Sequence, residues 1–152
     1  MSYSDQRYGA SQEAFVTGQA TAGTSTLASD TEIGRISFMS AVDILDFNVQ
    51  VTTGATFTGV TANVIYKIGK SLAGTGAVSD LGTAVLHTNA DLAILDGELT
   101  TSGYYAGTAN HIAAGDDLVF EQAAGTAIGT GVPQVKHCHV EYRERFAVGD
   151  AV

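Results

Sequence analysis

Two histidines, His137 and His139, are the residues whose type and spacing come nearest to a chemical site. They lie in the stretch VPQVKHCHVEYRERF, residues 132–146, which also holds the only cysteine and the only proline. Alternate side chains of a β-strand share a face, so an H-x-H pair on a strand puts both imidazoles on one side. There the two rings could share a metal ion, which makes the pair a candidate metal site.

The surroundings of this pair resemble the first of the two cupin motifs. The matching positions are Gly131, His137, His139, Glu144 and Gly149. The interval from Glu144 to Gly149 is shorter than in cupins, Glu144 has the wrong parity for the histidine face, and no second motif follows. His87 and His111 would join the pair only through a different topology. We therefore expect no bound metal and two histidines that are exposed or face a partner, a contact that would depend on pH.

No other group of residues predicts a catalytic or cofactor site. Asp91, Asp96 and Glu98, or Asp116 and Asp117, could supply calcium ligands, but the chain has no Asp-x-Asp-x-Asp-Gly loop. Nothing selects a pair of carboxylates for glycoside hydrolysis, and there is no tryptophan to stack a sugar. The serines have no G-x-S-x-G elbow, and the glycine-rich segments GTGAVS and GTAIGTG contain no G-K-S/T and do not open a helix. We expect no catalytic residue and no cofactor, hence a protein that is not an enzyme.

The chain is acidic and has the length of one domain. Its 152 residues include 16 Asp and Glu against 7 Lys and Arg, a net charge of −9. This balance opposes binding to nucleic acid, whose phosphates need Lys and Arg. The single cysteine, Cys138, excludes an intramolecular disulfide and is expected to be buried and inert. Without a signal peptide or a long apolar run, we expect folding in a reducing cytoplasm and no membrane partner.

Glycine-rich, weakly charged composition favours short strands and tight turns over helices. Alternating apolar residues predict seven or eight antiparallel strands in a β-sandwich or jelly roll. In one predicted strand Leu45, Phe47, Val49 and Val51 share the buried face. Other buried faces are predicted for Ile36 and Phe38; Ala62, Val64, Tyr66 and Ile68; Leu118 and Phe120; and Lys136, Cys138, Val140 and Tyr142. Residues 69–82 are expected to form a long loop, and Asp96-Gly97 a turn.

The first thirty residues differ from the rest in being rich in Ser, Thr, Gln, Ala and Gly. We therefore divide the chain into an extended polar N-terminal arm, residues 1–30, and a jelly-roll-like β-sandwich domain, residues 31–152. Such an arm would be mobile by itself. The alternative is an arm that becomes ordered against a neighbouring subunit or surface, with anchors at Tyr3, Tyr8, Phe15 and Val16.

The second half of the chain resembles the small head-decoration or cement proteins of tailed bacteriophages. The resemblance lies in the order of an apolar residue, an Ala-Gly-Asp turn, a strand, a Gly/Thr loop with a proline, and a final strand. These elements are Ile112, Ala114-Gly115-Asp116, Leu118 to Phe120, Pro133, and Val140 to Arg143. With the upstream ILDFNVQV strand and its Gly/Thr loop, the likeness extends over about residues 32–146.

The resemblance implies a β-sandwich or jelly roll that sits as a homotrimer on the outer surface of a virion and binds the major capsid protein. It implies no catalytic residues, and it gives the N-terminal arm a use along the coat or a neighbouring subunit. Two other functions stay open: a phage tail, fibre or carbohydrate-binding β-sandwich module, and a small cupin-like metal-dependent enzyme at His137 and His139.

Overall fold

The computed structural model describes residues 6–16, 29–51, 64–72, 76–86, 94–99, 110–124 and 135–147. Within these ranges there are nine strands and no helix, and every strand pairing is antiparallel, so the prediction of an antiparallel all-β fold is confirmed. The strands are β1 (Gln6–Val16), β2 (Thr31–Ser37), β3 (Val42–Val51), β4 (Val64–Ser71), β5 (Val78–Leu86), β6 (Ile94–Leu99), β7 (His111–Ile112), β8 (Asp117–Gln122) and β9 (Val135–Ala147).

The strands form one curled sheet in the order β1-β9-β3-β6-β5-β4-β8-β2, with the short β7 added to β3. The pairing is nested. The hairpin β4–β5 is innermost, and β3–β6, β2–β8 and β1–β9 enclose it successively along the chain. Because β6 pairs with β3 through its first residues and with β5 through its last, the path of hydrogen bonds is continuous and the sheet curls into a half-barrel.

Both halves of the curled sheet contribute to one core. Alternation works as predicted in β4, where Val64, Tyr66 and Ile68 are buried, and in β9, where Cys138 and Val140 are buried. The end strands β1 and β2 approach each other where Val16 lies against Gly34, and a Cβ on Gly34 would come within 2.9 Å of Val16 Cγ1. The remaining fully buried side chains include Ile33, Val42, Ile44, Phe47, Val49, Ile112, Leu118, Phe120 and Gln122.

Two irregularities shift the buried face away from the predicted alternation. In β3 the register shifts between Ile44 and Asp46, so Ile44 is buried and Leu45 only half-buried, whereas Phe47 and Val49 are buried as predicted. In β2 the register shifts between Glu32 and Gly34, which buries Ile33. An extra residue in one strand turns every earlier side chain to the opposite face, and this depends on the partner strand rather than on local sequence.

The loop predicted at residues 69–82 is too long at both ends, and the predicted turn at Asp96-Gly97 is wrong. Strand β4 continues to Ser71 and β5 begins at Val78, while β6 runs through Asp96-Gly97 without interruption. Gly97 is needed inside the strand because a Cβ there would overlap the ring of Phe47. A glycine that reads as a turn signal in the sequence is here a site of close packing.

Part of the predicted N-terminal arm is a strand of the sheet. β1 (Gln6–Val16) pairs with β9, with Cα partners from Gln6 and Ala147 to Val16 and Cys138. Residues 1–5 and 17–28 lie outside the described residues, as do residues 125–134, which hold most of the Gly/Thr loop. The boundary drawn at residue 30 stays a prediction.

Candidate functional site

The residues singled out in the sequence meet on the outer face of β1, β9 and β3, the face turned away from the core. His137, His139 and Glu141 lie on this side of β9, while Cys138 and Val140 point inward, as predicted from their parity. Register brings Phe15 of β1 and Asn48 of β3 level with His139, one on each side. Phe15, His139 and Asn48 thus form a row across three strands, the Asn48 row, at the centre of this surface.

His139 is held between two hydrogen-bond partners. The amide nitrogen Nδ2 of Asn48 is 3.0 Å from Nδ1 of the imidazole, and Oε1 of Glu13 is 3.0 Å from Nε2. An amide nitrogen can only donate, so Nδ1 is the acceptor and Nε2–H donates to the carboxylate. Only 13% of the His139 side chain is exposed. Neither ring nitrogen can take a metal ion without losing one of these bonds.

Phe15 covers the two histidines from the edge strand. Its ring centroid is 4.7 Å from that of His139 and 5.7 Å from that of His137, the second contact being edge to face. Its side chain nevertheless stays 63% exposed. We call Phe15, His137, His139, Glu13 and Asn48 the Phe15 patch. An exposed ring beside fixed polar groups is typical of a recognition surface.

Further contacts tie β1 to β9 around the Phe15 patch. The Ser11 hydroxyl donates a hydrogen bond to Glu141, and the Tyr142 hydroxyl donates one of 3.1 Å to Oε1 of Gln12. All of these contacts are near the surface. Among the β1 side chains whose burial is described, residues 10–16, the inward side supplies the half-buried Ala14 and Val16 to the core.

A second group, which the sequence reading missed, surrounds the buried Asp43 of β3. Its Oδ1 is 2.6 Å from Nη2 of Arg145 and 3.3 Å from Nδ1 of His111, and its Oδ2 accepts from Nε of Arg145 at 3.1 Å. Arg143 lies 3.9 Å away. This Asp43 cluster joins β3, β7 and β9. In the sequence, this cluster is indicated only by a charged residue inside the apolar run AVDIL and by arginines at the alternate positions 143 and 145. That they lie opposite each other follows from the pairing of β3 with β9.

The candidate metal residues are not assembled into a larger ligand set. His111 belongs to the Asp43 cluster and pairs at Asp43, about 16 Å along β3 from the Asn48 row that holds His139. His87 lies outside the described residues. Within the described ranges no three His, Cys, Asp or Glu side chains are close enough to hold one ion. The His137 and His139 pair is thus built into the Phe15 patch.

The calcium candidates that the structure describes do not gather into a ligand set either. Asp117 accepts hydrogen bonds from the Ser37 hydroxyl and from Arg35, both at 2.6 Å, and these bonds lower its pKa. Asp96 and Glu98 are exposed along β6, and Asp91 lies outside the described ranges. Asp117 therefore serves to fasten β8 to β2.

The outer face of the other half is acidic. Lys67 of β4 bridges Asp30 at 2.7 Å and Asp80 at 2.8 Å. Glu121 of β8 pairs in register with Lys67 and, on the other side, with Glu32. Its partial burial, together with Asp30 and other carboxylates, raises the pKa of Glu121 although Lys67 acts in the opposite direction. This surface repels further negative charge.

No protein-family model matches the chain, and no curated protein matches it either. In the part of the chain that the structure describes, no helix is long and apolar enough to cross a membrane.

Proposed function

We propose that the chain is a structural virion protein that binds the outer capsid lattice of a tailed bacteriophage and stabilises it. In this proposal the partner is the major capsid protein, and the chain acts as a homotrimer that carries out no reaction. The protein is made in the host cytoplasm and ends on the outer surface of the capsid.

The nested strand order is the observation that carries the proposal. The eight long strands pair first with last, second with seventh, third with sixth and fourth with fifth. A long hairpin that wraps round itself in this way produces two four-stranded groups, β1-β9-β3-β6 and β2-β8-β4-β5. We infer that the half-barrel is a jelly roll, an architecture found in viral capsid proteins, lectins and cupins.

The described residues of the family resemblance lie in the kinds of element that the resemblance implies, which also supports the proposal. Ala114-Gly115-Asp116 forms the turn between β7 and β8, where Gly115 has a φ of +89°, a value that glycine adopts easily. Leu118 and Phe120 are buried in β8, and Val140 is buried in β9. The Ala-Gly-Asp pattern is thus explained by a turn that needs glycine.

Multivalent attachment supplies the physical mechanism. A trimer that touches several coat subunits at once converts each additional contact into an intramolecular one, so modest contacts add up to strong binding. Bridged coat subunits must break several contacts together before the shell opens. The lattice would then resist heat and the internal pressure of a packaged genome.

Heating capsids that carry the protein beside capsids that lack it tests the proposal. We expect release of the packaged nucleic acid, followed with an intercalating dye, at a temperature several degrees higher when the protein is bound. The control is the same capsid with an equal amount of heat-denatured protein. Equal release temperatures, or a protein that does not sediment with capsids, would contradict the proposal.

A second candidate function is carbohydrate binding by a tail or fibre module, and the Phe15 patch favours it. An exposed ring beside Glu13 and Asn48 combines a stacking surface with hydrogen-bonding groups. A glycan array probed with the wild-type chain and with Phe15→Ala decides this case: binding lost in the variant supports it, and no binding by either chain rejects it.

A further inference from the structure

Strand β1 contacts the core only at its margin, through the half-buried Ala14 and Val16 among its described side chains. None of its described side chains is buried: Ala10 to Glu13 and Phe15 are exposed, and Ala14 and Val16 are half-buried. β1 is held by the ladder to β9, by the marginal packing of Ala14 and Val16, and by the surface contacts of Ser11, Gln12, Glu13 and Phe15. The conformational entropy lost when one residue is ordered costs about as much free energy as one ladder hydrogen bond contributes. A strand that buries so little side-chain surface therefore detaches readily.

Detachment would leave the long strand β9 with an open edge. β9 pairs with β1 over nearly its whole length, from Cys138 to Ala147. Open edges of this length recruit other strands. The strand that fits best is β1 of another copy, because an identical sequence remakes the same register, the Glu13–His139 bond and the Phe15 contacts.

The chain is long enough for such an exchange. Residues 17–28 separate β1 from Ser29, and twelve extended residues reach at most about 40 Å. A β1 strand from a second copy would also remake the contact between Glu13 and the His139 imidazole, which offsets the direct opposition of Glu13 and Glu141 in the ladder.

We propose that the β9 edge is a binding site for β1 of a second copy of this chain. Each copy gives β1 to one neighbour and receives β1 from another, a head-to-tail contact that closes into a ring. The Phe15 patch then lies between two subunits, with Phe15 and Glu13 from one copy and His137, His139 and Asn48 from the other. The inference concerns the purified chain and does not depend on the capsid role.

Disulfide trapping between two differently tagged preparations tests the proposal. Both preparations carry Cys138→Val, to remove the native thiol. One also carries Glu13→Cys and the other Glu141→Cys, at positions that are direct Cα partners in the β1–β9 ladder. The two are mixed at high concentration and oxidised, and the products are separated on a non-reducing gel.

We expect a mixed disulfide at least tenfold more abundant than in a control where Glu13→Cys is mixed with Thr83→Cys, an exposed position on β5. Mixed product at the control level would overturn the exchange. If either variant fails to fold, the Cα partners Gln12 and Tyr142 provide a second pair, Gln12→Cys and Tyr142→Cys, with the same expectations.

Light scattering provides an independent measurement. The full chain should be an oligomer, and the chain without residues 1–16 should be a folded monomer. A full-length monomer at high concentration, or an oligomer that persists after the deletion, would contradict the proposal. Because neither measurement uses capsids, failure here leaves the capsid role to be judged by its own test.

Discussion

Burial decides the chemistry of the only thiol. Cys138 is fully buried, and this raises the pKa of its thiol to about 12 from an ordinary 9.0. Tyr66, which faces it across the core, has its hydroxyl pKa raised for the same reason. The parity of β9 is sufficient to predict an inward-facing cysteine, because one-sided burial follows directly from alternation.

Cys138 should therefore resist thiol reagents in the native protein. With a pKa of about 12 rather than 9.0, its thiolate at pH 8 is reduced about a thousandfold, and the core excludes the reagent. We expect essentially no labelling by a disulfide reagent at pH 8 and one thiol per chain in denaturant. Rapid stoichiometric labelling of the folded chain would show that the β9 interior is open.

Glu121 should weaken the fold at neutral pH. Its carboxyl has a pKa raised by burial and by neighbouring carboxylates, so the ionised form is disfavoured in the folded state. The penalty is present at pH 7 and is relieved as pH falls through the raised folded pKa. Glu121→Gln should stabilise the chain by about 0.5 kcal/mol at pH 7, and the gain should vanish below pH 4.5, the ordinary carboxyl value.

Thermal melting between pH 4 and pH 8 measures this difference. The matched control is Glu98→Gln on the exposed face of β6, where we expect no gain. A gain that is independent of pH, or a loss at pH 7, would show that Glu121 contributes through packing or through Lys67 instead.

At the scale of elements, the existence of the strands was easier to predict than the positions of their bulges and ends. Alternation located β3, β4, β8 and β9, whereas the bulge at Leu45 became visible only through the pairing of β3 with β9. The Asp43 cluster could not be predicted either, because its members come from three strands that meet only in the folded chain. Of the Phe15 patch, the sequence indicated the histidines and the anchoring phenylalanine but not Glu13 and Asn48.

The β6 strand depends on Gly97. A methyl group there would overlap the Phe47 ring in the core, and forced overpacking typically destabilises by about 1–3 kcal/mol. Gly97→Ala should lower the melting temperature clearly, whereas Ser79→Ala on the exposed part of β5 should leave it nearly unchanged. Equal melting temperatures for the two variants would mean that Phe47 can move aside at little cost.

At the scale of the molecule, we expect the protein to attach to the capsid through the peripheral strand β1. Attachment through electrostatic attraction is not expected, because the outer face around Lys67 is acidic. Removing residues 1–30 would also remove Asp30, which bonds to Lys67 and to the backbone of Ala124. Removing residues 1–16 is the cleaner deletion. We expect the shortened chain to stay folded and to bind capsids at much lower occupancy than the full chain.

Sedimentation of capsids with each chain, followed by gel quantification, measures this occupancy. Phe15→Ala in the full-length chain provides a variant that keeps the β1 backbone, and we expect it to bind with intermediate occupancy. Full occupancy by the shortened chain would dismiss β1 as the attachment segment while leaving the rest of the capsid proposal in place.

The pairing of Gln6 with Ala147 has a practical consequence for engineering. Since the two outermost strands of the nest run side by side in opposite directions, a short peptide linker could join them, and new termini could be cut at a surface hairpin such as the one between β4 and β5. A circular permutant of this kind would tether β1 to β9 covalently. It would be locked as a single-chain subunit, unable to lend its first strand to a neighbour.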